Sequence, residues 1–184
     1  NGWNDVGYNF LVDRFGQVFE GRYGGVERNV IGAHSQGFNT GSVGISVIGN
    51  YARRSPTAAA RSALVRLLAW RMDVAHVDPL SNAPVVSGGN PKYRKGIPLF
   101  LRAISGHRDT GFTTCPGRLY GDLRGIAASV AGLGLPKLYT AEVEGRFAAL
   151  FVEDLMHLAL ARAGAMVEVV SRQLDGGGLG DGLL

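Results

Sequence analysis

The chain has 184 residues, 46% of them hydrophobic and 18% charged, with a formal net charge of +4. This hydrophobic share excludes a wholly disordered chain, the length suits one compact domain plus an appendage, and no apolar run approaches the ~18 residues of a membrane span. Glycine supplies 28 residues, about 15% against a usual ~7%, so many turns and irregular loops are expected, and the single cysteine, Cys115, excludes an internal disulfide and leaves a thiol or a metal ligand.

Taken in chain order, Tyr8 to Val12 is apolar on both faces, Asp13-Arg14-Phe15-Gly16 carries turn chemistry, and Gln17 to Glu20 resumes an alternating pattern. Residues 7–21 therefore read as a β-hairpin. Val30–Ala33 and Val43–Ile48 are short β-branched runs bounded by glycine and read as core strands. Ser55-Pro56 is a helix start signal, and Ala60, Leu64, Leu67, Leu68, Met72 and Ala75 recur at helical spacing. Arg61, Arg66, Arg71 and Asp73 fall largely off that stripe, so an amphipathic helix is expected over about 56–77, closed by Asp78-Pro79. A long loop follows from Pro79 to about Leu99. Ile104–His107 reads as a last strand of the body, and Leu119–Val130 as a shorter helix that ends at Gly132–Pro136. Beyond it the chain turns alanine-rich and acidic. Val143, Phe147, Leu150, Phe151, Leu155 and Leu158 form one stripe, so 140–174 reads as a long helix or helix pair, with a flexible glycine-rich tail from Asp175. The expected organisation is a body over 1–136 and a helical extension over 137–184.

Charge divides along the same line. Residues 1–136 hold 15 Lys+Arg against 8 Asp+Glu, or +7, and 137–184 hold 4 against 7, or −3. A basic body suits a polyanionic partner as well as a merely soluble surface. The basic residues are scattered and not interleaved with aromatics, so nucleic acid is not the expected partner.

The sharpest local motif is Gly106-His107-Arg108-Asp109-Thr110-Gly111-Phe112-Thr113-Thr114-Cys115-Pro116-Gly117. Imidazole nitrogen and thiolate sulfur both suit zinc, and a strand end followed by a glycine-containing turn can bring His107 and Cys115 onto one ion. The spacing equally fits a buried cysteine packing as a small hydrophobe beside a surface histidine.

The wider order of motifs carries more. Trp3-Asn4-Asp5-Val6-Gly7-Tyr8-Asn9-Phe10-Leu11-Val12, Glu20-Gly21-Arg22, Gly32-Ala33-His34, Gly37-Phe38-Asn39, Gly44-Ile45, Gly106-His107-Arg108-Asp109 and Thr114-Cys115-Pro116-Gly117 follow one another. Together, over roughly 2–130, they resemble the peptidoglycan recognition protein / zinc-dependent N-acetylmuramoyl-L-alanine amidase (amidase type 2) family, in a bacterial, actinobacterial-like form. The resemblance implies an α/β fold, a mixed β-sheet flanked by helices, with one zinc ion in a groove held by two histidines and a cysteine.

In that pattern His107 matches the second zinc histidine and Cys115 the cysteine. Tyr8 matches a tyrosine whose hydroxyl faces the reacting carbonyl, and Thr113 the position near the zinc-bound water. His34 matches a histidine lining the groove, or is simply hydrogen-bonded at a strand end. Trp3 and Phe38 match groove aromatics or pack, and Asn39 either contacts substrate or stabilises a turn. Arg108 and Asp109 form a structural ion pair, the preferred reading, or support the metal ligands from behind. The first zinc histidine of the family lies on a strand upstream of the tryptophan matched by Trp3. The sequence begins after that point, so an N-terminally truncated piece with the first strand missing is expected.

The implied activity is hydrolysis of the amide between N-acetylmuramic acid and L-alanine in peptidoglycan, by water that zinc brings toward a pKa of ~7. The alternative is a non-catalytic module that binds peptidoglycan or muropeptide. Cys115, Tyr8 and Thr113 favour the enzyme, because binding alone needs no metal. An extracytoplasmic or secreted location follows from where such a substrate lies.

Overall fold

A computed structural model describes residues 4–133 with their side chains and residues 166–172 as backbone. Trp3, His157 and most of the expected helix over 140–174 lie outside the described residues.

The expected hairpin is present as β1 (Phe10–Val12) and β2 (Val18–Glu20), antiparallel. Asp13 makes its turn: Oδ1 accepts the backbone N–H groups of Phe15 (2.9 Å) and Gln17 (2.8 Å). Gly16 sits at φ +84°, where a Cβ would stand 2.9 Å from the carbonyl oxygen of Ala59. β3 (Ser42–Ile48) runs parallel to β1, with Phe10 opposite Ile45 and Val12 opposite Val47.

The strand expected over Val30–Ala33 is not a strand. The Ala33 N–H bonds the Gly7 carbonyl (2.8 Å) and the Asn9 side-chain amide bonds the Val30 carbonyl (2.7 Å), so isolated bonds replace a ladder.

α1 spans Ala58–Ala75 and is capped by Thr57, not by Ser55. The Thr57 hydroxyl accepts the Ala60 N–H (3.1 Å) and donates to the Arg14 carbonyl (2.6 Å), so the cap also ties the helix to the hairpin turn. The helix ends at His76 in the left-handed region (φ 54°), with the Val77 N–H closing on the Met72 carbonyl at 2.9 Å. Within the segment read as one loop from Pro79 to Leu99, β4 (Asn82–Val86) pairs antiparallel with β5 (Pro98–Arg102) as a separate two-stranded sheet. Ala83 is its one buried residue, so hydrophobic alternation gave no signal for it. β6 (Ile104–Gly106) runs directly into the helical turn α2 (His107–Thr110), and α3 spans Leu119–Gly132.

The main sheet has the order β2-β1-β3-β7-β6, where β7 is Met166–Arg172. For these residues the helix expectation is overturned. β7 lies parallel to both neighbours, with Glu168 in register with Gly44 of β3 and Ser105 of β6. Without it β3 and β6 would not be joined. The sheet is mixed, with helices on its apolar face, as the α/β expectation required.

Phe10, Val12, Ile45, Val47 and Ile104 bury that face against Leu64, Leu68 and Met72 of α1 and Leu119, Leu123 and Ile126 of α3. Each such side chain contributes about 1.5–3 kcal/mol. Strand alternation sends Gly44, Ser46 and Ser105 to the opposite face. That face is polar, and it carries the site.

Candidate active site

The site begins at the end of β6. Gly106 is glycine because a Cβ there would stand 2.7 Å from the Tyr120 ring and 2.9 Å from Pro116. Its N–H donates to Oδ2 of Asp109 (2.9 Å), three residues on, which caps α2 and fixes where His107 leaves the strand. The chain then returns alongside the helical turn. The Arg108 N–H bonds the Cys115 carbonyl (3.1 Å), and the Arg108 guanidinium gathers the carbonyls of Thr114, Cys115 and Gly117. Cys115 precedes Pro116 through a cis peptide. These bonds hold the His107 and Cys115 segments side by side. Thr113 steadies the same loop by accepting the Cys115 N–H on its hydroxyl (3.1 Å).

The ion pair expected between Arg108 and Asp109 does not form, because each is engaged elsewhere. Arg108 braces the cysteine loop, while Asp109 accepts from Arg102 (3.4 Å) and from the Tyr120 hydroxyl (2.5 Å). Arg108 and Arg102 lie over the Tyr120 ring at 4.4 and 5.1 Å. The hydrogen bond to Asp109 pushes the Tyr120 phenol pKa up.

His34 lies in the loop before β3. It is 2% exposed. Its ring lies against two glycines: a Cβ on Gly32 or on Gly44 would stand 2.3 Å from its Cδ2. Tyr8 stacks on it at 6.2 Å with 22° between planes. The Asn39 side-chain oxygen accepts the N–H groups of His34 (2.9 Å) and Ser35 (2.8 Å), which realises the turn-stabilising alternative for Asn39. Phe38 is buried and packs edge-on against Tyr93. Trp3 lies outside the described residues.

One buried relay joins the halves. The Ser35 hydroxyl bonds the Thr110 hydroxyl (2.8 Å), and Thr110 bonds the His107 carbonyl (3.1 Å). The pair formed by Tyr8 and His34 is thereby tied to the loop that carries His107 and Cys115.

Sequence reasoning missed the clamp from the segment between β4 and β5. The Asn90 side-chain amide donates to the carbonyls of Thr110 (2.8 Å) and Gln36 (3.0 Å). Lys92 Nζ caps the carbonyls of Arg108 (2.5 Å) and Asp109 (3.2 Å), and the Tyr93 hydroxyl also reaches Asp109 (3.2 Å). The turn chemistry of Asn90-Pro91 was a visible signal of a loop, but the partners of Asn90 lie 20 and 54 residues away. Phe112 belongs to the loop between His107 and Cys115 and is 78% exposed.

The chemistry of the donor set is that of zinc, one imidazole and one thiolate. No group of three or more His, Cys, Asp or Glu residues able to hold a metal occurs among the described residues. A catalytic zinc takes three protein ligands, so the described residues furnish part of such a set and not the whole. No helix among them is long and apolar enough to cross a membrane.

Residues 1–118 match the family model described as N-acetylmuramoyl-L-alanine amidase. Peptidoglycan-recognition protein SC2 of Drosophila melanogaster is 38% identical over 116 residues, which cover 63% of this chain and 50% of that protein. Peptidoglycan recognition protein 3 of Homo sapiens is 41% identical over 85 residues, covering 46% of this chain and 24% of that protein. Among solved structures, the endolysine N-acetylmuramoyl-L-alanine amidase LysCS from Clostridium intestinale URNW aligns with a TM-score of 0.45 at 25% identity, over 63% of this chain and 58% of that one. This chain belongs to the N-acetylmuramoyl-L-alanine amidase family. It spans half the length of the SC2 relative it matches.

Proposed function

We propose that this domain binds peptidoglycan in the groove between Tyr8 and Cys115 and hydrolyses the amide joining N-acetylmuramic acid to L-alanine. The observation that supports the reading is the relay from Ser35 through Thr110 to the His107 carbonyl, which ties the segment carrying His34 to the start of the segment carrying His107. His107 and Cys115 would hold a zinc ion together with a further ligand. Zinc, when bound, is a Lewis acid that activates water and polarises an amide carbonyl.

The remaining roles fall to this chain's own side chains. The Tyr8 hydroxyl donates to the oxygen on which negative charge develops, and its stacking on His34 fixes the ring beforehand. Thr113 holds the cysteine loop through the Cys115 N–H and presents its hydroxyl to water. Arg108 and Asp109 keep the ligand loop in shape. Phe112 offers an apolar face to the sugar or peptide. The working place of such a domain is outside the cytoplasm, where peptidoglycan is.

Muropeptide hydrolysis and zinc content test this together, measured on the longest natural form of the chain. About one zinc per chain and release of peptides beginning with L-alanine are expected, both abolished by Cys115→Ser. Release that survives Cys115→Ser overturns the metal mechanism. Retention on peptidoglycan with no peptide release by the unaltered protein would leave a binding module.

A further inference from the structure

The helical turn that begins with His107 does not hold itself. α2 has four residues, and so short a helix is unstable alone. The Gly111 N–H closes it on the His107 carbonyl (2.8 Å). The next three carbonyls have no following turn to serve them, and one distant segment takes all three. Asn90 Nδ2 donates to that of Thr110, Lys92 Nζ to those of Arg108 and Asp109, and the Tyr93 hydroxyl to that of Asp109 as well. The half-buried Lys92 ammonium is thus spent on backbone oxygens, in charge-assisted bonds that are stronger than neutral ones.

The segment over 90–93 is itself preformed. Asn90 Oδ1 accepts the N–H groups of Lys92 (2.9 Å) and Tyr93 (2.8 Å), and the Asn90 N–H bonds the Tyr93 carbonyl (2.9 Å). Its Nδ2 donates to the Gln36 carbonyl as well as to Thr110, so both ends of this amide are in use. The root of the segment is fixed on the loop that carries His34. The Gly88 N–H bonds the Gly37 carbonyl (2.8 Å), and a Cβ on Gly37 would stand 2.8 Å from the Gly89 carbonyl oxygen. A rigid strap therefore rests on the His34 loop and grips α2, as a second bridge beside the Ser35–Thr110 bond.

We propose that this strap positions the metal centre: Asn90 and Lys92 are positioning residues that hold α2 and thereby set how His107 meets the ion. The role toward the ion rests on the zinc reading above, whereas the grip on α2 does not.

Two measurements on the longest natural form of the chain test it: zinc affinity by chelator competition, and amide exchange at Gly111 in the metal-free protein. Asn90→Asp keeps the oxygen that closes the strap and loses the two outward donors. Lys92→Met keeps the stem and loses the ammonium. Each should weaken zinc binding about 10-fold and speed Gly111 exchange about 10-fold or more, while exchange over 64–68 in α1 stays that of the unaltered chain. Lys92→Arg, which returns a cationic donor, should recover most of both, and Arg94→Met on the same loop should change neither. Variants that melt earlier yet bind zinc with unaltered affinity would reduce the strap to scaffolding and overturn the proposal, as would Gly111 exchange at the unaltered rate. An unaltered chain that takes up no zinc would sink the metal reading but not the grip on α2, which Gly111 exchange decides alone.

Discussion

At the residue scale, the site depends on very small and very specific groups. Gly44 is the clearest case. A methyl there would enter the His34 ring, which also lies against Gly32. Gly44→Ala is expected to destabilise the chain by about 1–3 kcal/mol through overpacking, read as a lower midpoint of urea unfolding. An unchanged midpoint would mean that the ring moves at no cost. On the proposed mechanism, Tyr8→Phe should leave zinc content unchanged and lower kcat about 10²-fold, since only the developing charge would lose a donor. A rise in KM alone would assign Tyr8 to affinity instead. That the segments of His107 and Cys115 run side by side was legible because a short loop joins them. Asn90, Lys92 and Tyr93 were not, because a lysine that caps carbonyls looks in sequence like any surface lysine. The Arg108–Asp109 neighbourhood misled for a related reason: adjacent opposite charges suggest a pair, while in the fold each finds better-placed partners on other segments.

At the element scale, α1 reads correctly as a helix but not in its faces. Hydrophobic periodicity assigned Arg71 to the polar side, yet it is buried, because the loop carrying Val26 and Asn29 covers that side and supplies acceptors. The shift of the cap from Ser55 to Thr57 has a similar origin. Both residues can cap, and the bond from Thr57 to Arg14 in the hairpin turn selects one of them. β7 is the larger departure. A stretch of valines inside an alanine-rich, acidic region fits a helix by composition and fits a strand only when β3 and β6 stand ready to pair with it. A chain ending at Leu133 would leave those two strands unjoined, with unpaired backbone on both. It should lose cooperative unfolding, and amide exchange over 42–48 should accelerate by orders of magnitude. Protection equal to that of the intact chain would make β7 dispensable.

At the scale of the whole molecule, stability should fall on the alkaline side. The Tyr120 phenol pKa is raised chiefly by its hydrogen bond to Asp109, and that of Tyr51 by burial. A phenol pKa raised by folding means that the neutral form is favoured in the native state. That stability is complete below the ordinary value of ~10 and is lost as pH rises through the folded pKa. Urea midpoints should therefore drop between about pH 9 and 11, and the double variant Tyr51→Phe, Tyr120→Phe should flatten the decline. An identical slope in the variant would place the alkaline sensitivity elsewhere.

The division between sequence and tertiary structure follows from the range of the forces involved. Local pattern by itself determined the hairpin, the two long helices, the strand that delivers His107, and the family to which the ordered motifs point. Turn chemistry, helical periodicity and short motifs act over a few neighbouring residues, where a sequence is a complete description. Only the fold decided that Asn39 braces the His34 turn, that Phe38 packs inside, that Arg71 is enclosed, and that residues 166–172 join the middle of the sheet. Each of those outcomes depends on which distant group arrives with a matching donor, acceptor or open strand edge, and chain order carries no direct record of that meeting.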